Sequence, residues 1–465
     1  MKLRIVSLAA VAAFAGQAHA LSLADIDAAR SAGTLLEVTM SGATALSGTI
    51  GGLFTQNCKP GTLNIYLNNK NLFAGESVDG NIVKAYACEL VGSNNDFGAA
   101  YNNRKVLFQK SDEGGSGNGV FPVATNSLMP FLNVSAANCN QTTKVCNTIA
   151  QRRPDGGVSD VSPIGFNPEA NRPLSPIDFS GNPNVSNSDF QQVRGVLQIG
   201  FGLAVSQPLY EALQAEQGTT GRPSVPKTVI SNMLSNTYDP SLGWTPLLSE
   251  ANIGDRTQIN ICRRVNGSGT QTSANRFWLE YGANGSSLIP ATNADNSEFP
   301  NAIANVAKDA GGIMVYEGSS TGNVRTCLTE ANTKGAFAIG HISLENAETA
   351  AWKFVKIDGV EPTRDNMKRG IYEYLFESTV QVAKTGNSAA GRAFMVNFTN
   401  AAQKSTNLNS LSAANQAGVL TLPTAADCPA TFSFKAAGTP GETAQDKFCG
   451  RVTRPNVSDV LTIVK

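Results

Sequence analysis

Histidine is almost absent from this chain. Its 465 residues hold 2, and only His341 lies beyond the first 20. Histidine-based metal sites usually need two or three such ligands, so most of them are excluded. A Ser-His-Asp hydrolase fares little better. Gly318-Ser319-Ser320-Thr321-Gly322 fits G-x-S-x-G, but the one candidate base sits 21 positions after Ser320. It lies inside the apolar run Ala336–Ile342, not far downstream behind an acid, and reads as a packed core or hinge residue. An esterase or phosphatase is therefore disfavoured, and no catalytic residue is assigned. The chain also has no CxxC pair, which argues against a zinc ribbon or thioredoxin-type site. Charge of one sign is missing too, with Lys+Arg at 36 and Asp+Glu at 36. That excludes a nucleic-acid binder relying on a basic footprint. It leaves open the capture of a small anion by backbone dipoles.

The composition that is present belongs to a folded chain: 41% hydrophobic and 15% charged, long enough for two lobes or domains. Lys2 and Arg4, the apolar stretch Ile5 to Gly16 and Ala18-His19-Ala20 form a cleavable export signal over 1–20. No later apolar run reaches the length of a membrane span, so no membrane anchor is expected. Eight cysteines in an oxidising compartment read as disulfides. The number of possible connectivities is 105, and closure between nearest neighbours suggests Cys58–Cys88, Cys139–Cys146, Cys262–Cys327 and Cys428–Cys449.

Three times the chain runs strand, Ser/Gly/Thr loop, helix. Leu35–Met40 leads through Ser41-Gly42-Ala43-Thr44 to a helix from Ala45 to about Gln56. Val106–Gln109 leads through Gly114–Gly119 to a helix from Val120. Ile259–Arg263 leads through Asn266–Thr270 to a helix through Leu279. Such alternation argues α/β with mostly parallel sheets. Residues 133–195 and 282–302 are rich in Asn, Pro, Gly and Ser and read as loops. Val193–Ser206 reads as a strand crossing between lobes, with Ala336–Leu344 as the return. The tail from about 400 looks like an extension pinned by its own disulfide.

A Ser/Gly/Thr loop entering a helix offers backbone N–H groups and hydroxyls at the positive end of the helix dipole. One such loop is an ordinary cap; three that converge could hold a tetrahedral oxyanion. Arg264, four residues before Ser268, could fork onto it. Asp160, in Val158–Pro163, repels a fully ionised ligand and helps only one that brings a proton. Phosphate at neutral pH brings one and sulfate does not, so Asp160 beside Arg264 would choose phosphate by rejecting sulfate.

These pieces, in this order, resemble the phosphate-binding proteins of bacterial ABC importers, which are type-two periplasmic binding proteins. The matching segments are Ser41–Ala45, Gly115–Val120, Val158–Pro163 and Arg264–Thr270, the last being the most specific. Supporting matches are Trp244 after Val229–Leu234, Gly335–Ser343 and Ile357–Thr363. The resemblance covers roughly 36–380. It implies a two-lobed, hinged α/β fold with mixed, mostly parallel sheets. Lobe one would be 21–195 and 340–465, and lobe two 196–339. It places ligand contacts at Thr44, the Ala45 backbone, Ser116, Asp160, Arg264, Ser268, the Gly269 backbone and Thr270. It also implies a periplasmic or secreted monomer that binds phosphate or a similar oxyanion, needs no cofactor or metal and hands its ligand to an ABC permease. Asn266 stands where the family usually has Asp, and Ala45 where an aromatic is usual. The insert around 60–105, the loops of 133–157 and the tail after 400 exceed a plain importer subunit and leave an alternative: the same scaffold used at a surface for adhesion or assembly rather than uptake.

Overall fold

The computed structural model describes residues 20–73, 82–173, 184–282, 288–291, 306–412, 417–429, 435 and 438–464. The export signal expected over 1–20 lies outside them except for Ala20.

Strands such as Leu36–Gly42, Ile259–Arg264 and Ala338–Ser343 are buried along nearly their whole length, their polar residues included. That is the signature of a sheet covered on both faces. They belong to one 13-stranded sheet within a mixed α/β fold. On one side Leu36–Gly42 pairs in parallel with both Lys105–Ser111 and Gly156–Ser159. On the other Ile259–Arg264 pairs in parallel with both Ile313–Gly318 and Ala338–Ser343. The two parallel triads are joined by antiparallel strands. The long strand Gln192–Ser206 pairs with Leu375–Val382 over its first half and with Ala338–Ser343 over its last. Leu375–Val382 in turn pairs with Gly156–Ser159.

The helix that follows the first parallel strand packs back on the sheet because its inner face is apolar. Ser47–Thr55 buries Ile50, Leu53 and Phe54. Phe54 stacks on Phe108, and Phe394 from the helix Ala389–Ala402 closes the same aromatic cluster. Fully burying one such ring contributes about 1.5–3 kcal/mol. On the other side, Trp244 is fully buried edge-on against Phe337, and its indole N–H donates to the Gln258 carbonyl (3.0 Å).

The four disulfides pair Cys58–Cys88, Cys139–Cys146, Cys262–Cys327 and Cys428–Cys449, as nearest-neighbour closure anticipates. Three other expectations need correction. Residues 133–195 are not all loop: Gly156–Ser159 is a central strand of the sheet. Its short side chains hide a buried strand inside a polar-looking stretch. The second helix begins at Ser116, not Val120, because Gly115, with φ +67°, makes the turn that lets Ser116–Gly119 wind as its first turn. The tail is not a mere appendage either. Val419–Thr421 pairs with Gln192–Ser206 inside the main sheet. Of the 282–302 loop, most lies outside the described residues.

Candidate functional site

Each parallel triad ends in a glycine-rich loop, and the loops of the two triads touch. The Gly117 N–H donates to the Gly267 carbonyl (2.7 Å), and the Gly267 N–H donates to the Asn171 carbonyl (3.0 Å). Within the first triad, the Ser41 hydroxyl donates to the Asn118 carbonyl (2.7 Å) and the Ala43 N–H to the Val158 carbonyl (2.8 Å). Glycine is required where these backbones meet. A Cβ on Gly269 would collide with the Ser116 hydroxyl and come within 2.7 Å of the Asp160 carboxylate. A Cβ on Gly115 would come within 3.2 Å of the Arg264 guanidinium.

The geometry therefore gathers Ser116, Asp160, Arg264, Ser268 and Gly269 at one junction. The Asp160 N–H donates to the Ser116 hydroxyl (3.1 Å). Asp160 is 2% exposed, and its Oδ1 has no hydrogen-bond partner. Arg264, also 2% exposed, ends its strand. It donates to the Gly318 carbonyl (3.2 Å), the Ser319 carbonyl and the Thr321 hydroxyl (3.4 Å). Its guanidinium is thus oriented by the opposite loop. Ser268 caps the helix Gly269–Leu279, its hydroxyl accepting from the Gln271 N–H (3.4 Å). The Thr270 hydroxyl is buried without a partner. Thr44 and Ala45 precede the helix Ser47–Thr55. Their neighbour is the next loop, where the Thr44 hydroxyl meets the Asp112 carbonyl at 3.4 Å. The G-x-S-x-G serine is spoken for as well: Ser320 caps the helix Thr321–Thr333. His341 is buried on Ala338–Ser343 beside Trp278 and Tyr374, and burial pulls it down to about 3, so it stays neutral.

Two charged residues of this region escape sequence reasoning. Lys110 is fully buried at the end of its strand. Its ammonium donates to the carbonyls of Gly42 (2.8 Å), Ser111 (3.0 Å) and Ala43 (3.3 Å) and pairs with Asp112 (2.6 Å). A lysine at the inner end of a doubly covered strand is a readable signal, since nothing apolar is gained by it. Glu345 follows the return strand. Burial first, then the Asp160 and Asp112 carboxylates, push it well above the usual range.

Asp160 itself is pushed up to about 6, chiefly by burial, with Arg264, Ser116 and Lys110 pulling the other way. Folding thus favours its protonated form. Its contribution to stability is full below the ordinary 3.8 and is lost as pH rises through about 6. By pH 7 the ionised carboxyl costs about 3 kcal/mol. Asp160→Asn is therefore expected to stabilise the ligand-free protein by up to that amount at pH 7.5, measured by urea unfolding. The gain should shrink through pH 6 and vanish near 4. A difference that is flat with pH would contradict it.

No family model matches the chain, and no curated relative does. Solved structures do match in shape. A protein with bound phosphate from Clostridium perfringens, assigned as a phosphate ABC transporter substrate-binding protein, is 11% identical. The match covers 82% of this chain and 99% of that one, at a TM-score of 0.40. An ABC-type phosphate transport receptor from Vibrio cholerae is 10% identical, over 78% and 93%, at 0.37. PstS from Borrelia burgdorferi is 11% identical, over 81% and 95%, at 0.33.

Proposed function

We propose that the chain is an exported solute-binding protein that closes its two halves on phosphate, or on a related tetrahedral oxyanion carrying a proton, for delivery to an ABC permease. The observation that carries this reading is the buried Asp160 carboxyl, with an unpartnered Oδ1, held against Ser116 and Gly269 with Arg264 near by. A carboxyl so placed is an acceptor waiting for an O–H. Around it stand donors without a large net charge: the Arg264 fork, the Ser116, Ser268 and Thr270 hydroxyls and the N-terminal amides of two helices. Thr44 and the Ala45 amide would join as the loops adjust around the ligand. Bound in this way, the ligand's proton bridges to Asp160 while its other oxygens accept from the cationic and amide groups. Nothing in the set acts as a nucleophile, so the reading is binding without turnover. Export is supported by the N-terminal signal and by the four disulfides, which persist in oxidising compartments.

Calorimetry at pH 7.5 tests the reading. Phosphate should bind, and sulfate should bind at least about 100-fold more weakly, since a missing hydrogen bond that leaves a buried charge facing another costs several kcal/mol. Below pH 6 Asp160 gains a proton it can donate, so the preference for phosphate should narrow there. Asp160→Asn should narrow it at every pH. Equal affinity for the two anions, or none for either, would refute the assignment.

A further inference from the structure

At the far end of the helix Gly269–Leu279, about 16 Å from Gly269, lies a second pocket of about 280 Å³. That is close to the lower limit of ordinary small-molecule sites, about 300 Å³. Its walls come from that helix end, the start of the helix Lys227–Met233, Glu373 and the stretch 454–461. Three cations and three acids line it, together with Phe277, Val460 and Leu461. Two of the six charges are already used. Arg276 donates to the carbonyls of Val457 (2.9 Å), Ser458 (2.8 Å) and Glu280 (3.3 Å). Asp459 accepts from the Asn456 backbone and side chain (3.1 and 3.0 Å).

The other four form no ion pair, although Arg454 donates to the Glu373 carbonyl at 3.4 Å. Among the described residues, Lys227 and Arg454 have no carboxylate, and Glu280 and Glu373 no cation, within 4.0 Å. The Lys227 ammonium instead lies over the Phe277 ring (4.1 Å), and the Arg454 guanidinium over Phe376 (4.4 Å). Arg454 is only 8% exposed, yet its Nε has no partner. Burial pulls both cations down, Arg454 to about 10, which leaves it charged at neutral pH. Glu280 is also misplaced for stability alone. It sits past a helix C-terminus, where the dipole disfavours an acid, and at φ +55°, where glycine or asparagine is usual. Opposite charges that share a pocket and do not meet are held apart by a gap. Glu280 and Glu373 reach solvent, so the cost of going without an opposite charge falls on the buried Arg454.

We propose that this pocket binds a small zwitterion of the α-amino acid class with an apolar side chain. The carboxylate lies between Lys227 and Arg454. The ammonium meets Glu280 and Glu373, and the side chain rests on Phe277, Val460 and Leu461. A simple anion or amine would satisfy one pair and leave the other exposed to like charge. The proposal does not depend on what the cleft binds.

The full mature chain, titrated calorimetrically with L-leucine, L-methionine and L-phenylalanine, tests it. At least one should bind. For that one, the analogue lacking the amine (4-methylpentanoate for leucine) and the one lacking the carboxylate (3-methylbutylamine) should bind at least about tenfold more weakly. Lys227→Gln and the surface substitution Glu373→Gln should each weaken the amino acid about tenfold or more and leave phosphate binding unchanged. Arg264→Ala should leave the amino acid affinity unchanged. No binding by any of the three amino acids would overturn the proposal. So would analogues that bind equally well, or undiminished affinity in both Lys227→Gln and Glu373→Gln.

Discussion

Arg264→Ala is expected to abolish phosphate binding, with an affinity loss of about 100-fold at the least. Truncating one member of a buried, hydrogen-bonded charge contact costs about 2–5 kcal/mol, and here the loss acts twice. The ligand loses its fork, and the Gly318 and Ser319 carbonyls lose the donors that orient the facing loop. Asp160 should feel the change as well. Arg264 is the largest influence pulling that carboxyl down, so its removal should raise Asp160 beyond about 6. Arg264→Lys keeps the charge but not the planar fork and should recover only part of the affinity. Calorimetric titration of both variants, with circular dichroism to confirm folding, measures this. Wild-type affinity in folded Arg264→Ala would remove Arg264 from the site.

Lys110→Met is expected to cause the largest loss of stability of any single substitution at the junction, about 3–5 kcal/mol. The ammonium satisfies three backbone carbonyls and the Asp112 carboxylate in a place water does not reach. Removing it leaves Asp112 an uncompensated charge, 9% exposed, beside Asp160. Two consequences can be measured. The urea midpoint should fall sharply in Lys110→Met. The double variant Lys110→Met/Asp112→Leu should recover much of the loss, because a buried pair replaced by apolar groups is often neutral while half a pair is not. If the single variant unfolds at the wild-type midpoint, Lys110 is not the clamp that its four contacts describe. The same change should weaken phosphate, since a cation near Asp160 and the Ser41–Thr44 turn is lost.

How much of this was readable without coordinates follows from the range of the interactions involved. The strand–loop–helix units are local, and all three were legible: the apolar runs at Leu36, Val106 and Ile259 form strands, and the Ser/Gly/Thr stretches after them open helices. Disulfide pairing was legible because each bridge closes a short loop between neighbouring cysteines, the longest spanning 65 residues. Gly156–Ser159 was not, because a strand of small residues has no hydrophobic period to betray it. Lys110 was missed because its four partners come together only when two strands and a turn meet. Glu345 acquires its like-charged neighbours only through the return crossing.

The sequence by itself determined the class of fold and the separate loops in which Ser116, Asp160, Arg264 and Ser268 lie, since each depends on residues close along the chain; it suggested the four cysteine pairs, and the structure chose them from the 105 possible connectivities. Whether those loops meet was decided by tertiary structure alone. The long strand Gln192–Ser206 sets one parallel triad against the other, glycines at 117 and 267 let backbones approach where a Cβ would keep them apart, and Gly269 leaves room for the Ser116 and Asp160 side chains. From that approach come the burial of Asp160, its raised proton affinity and its place beside Arg264. Desolvation is a property of what surrounds a group, and no stretch of chain carries it alone.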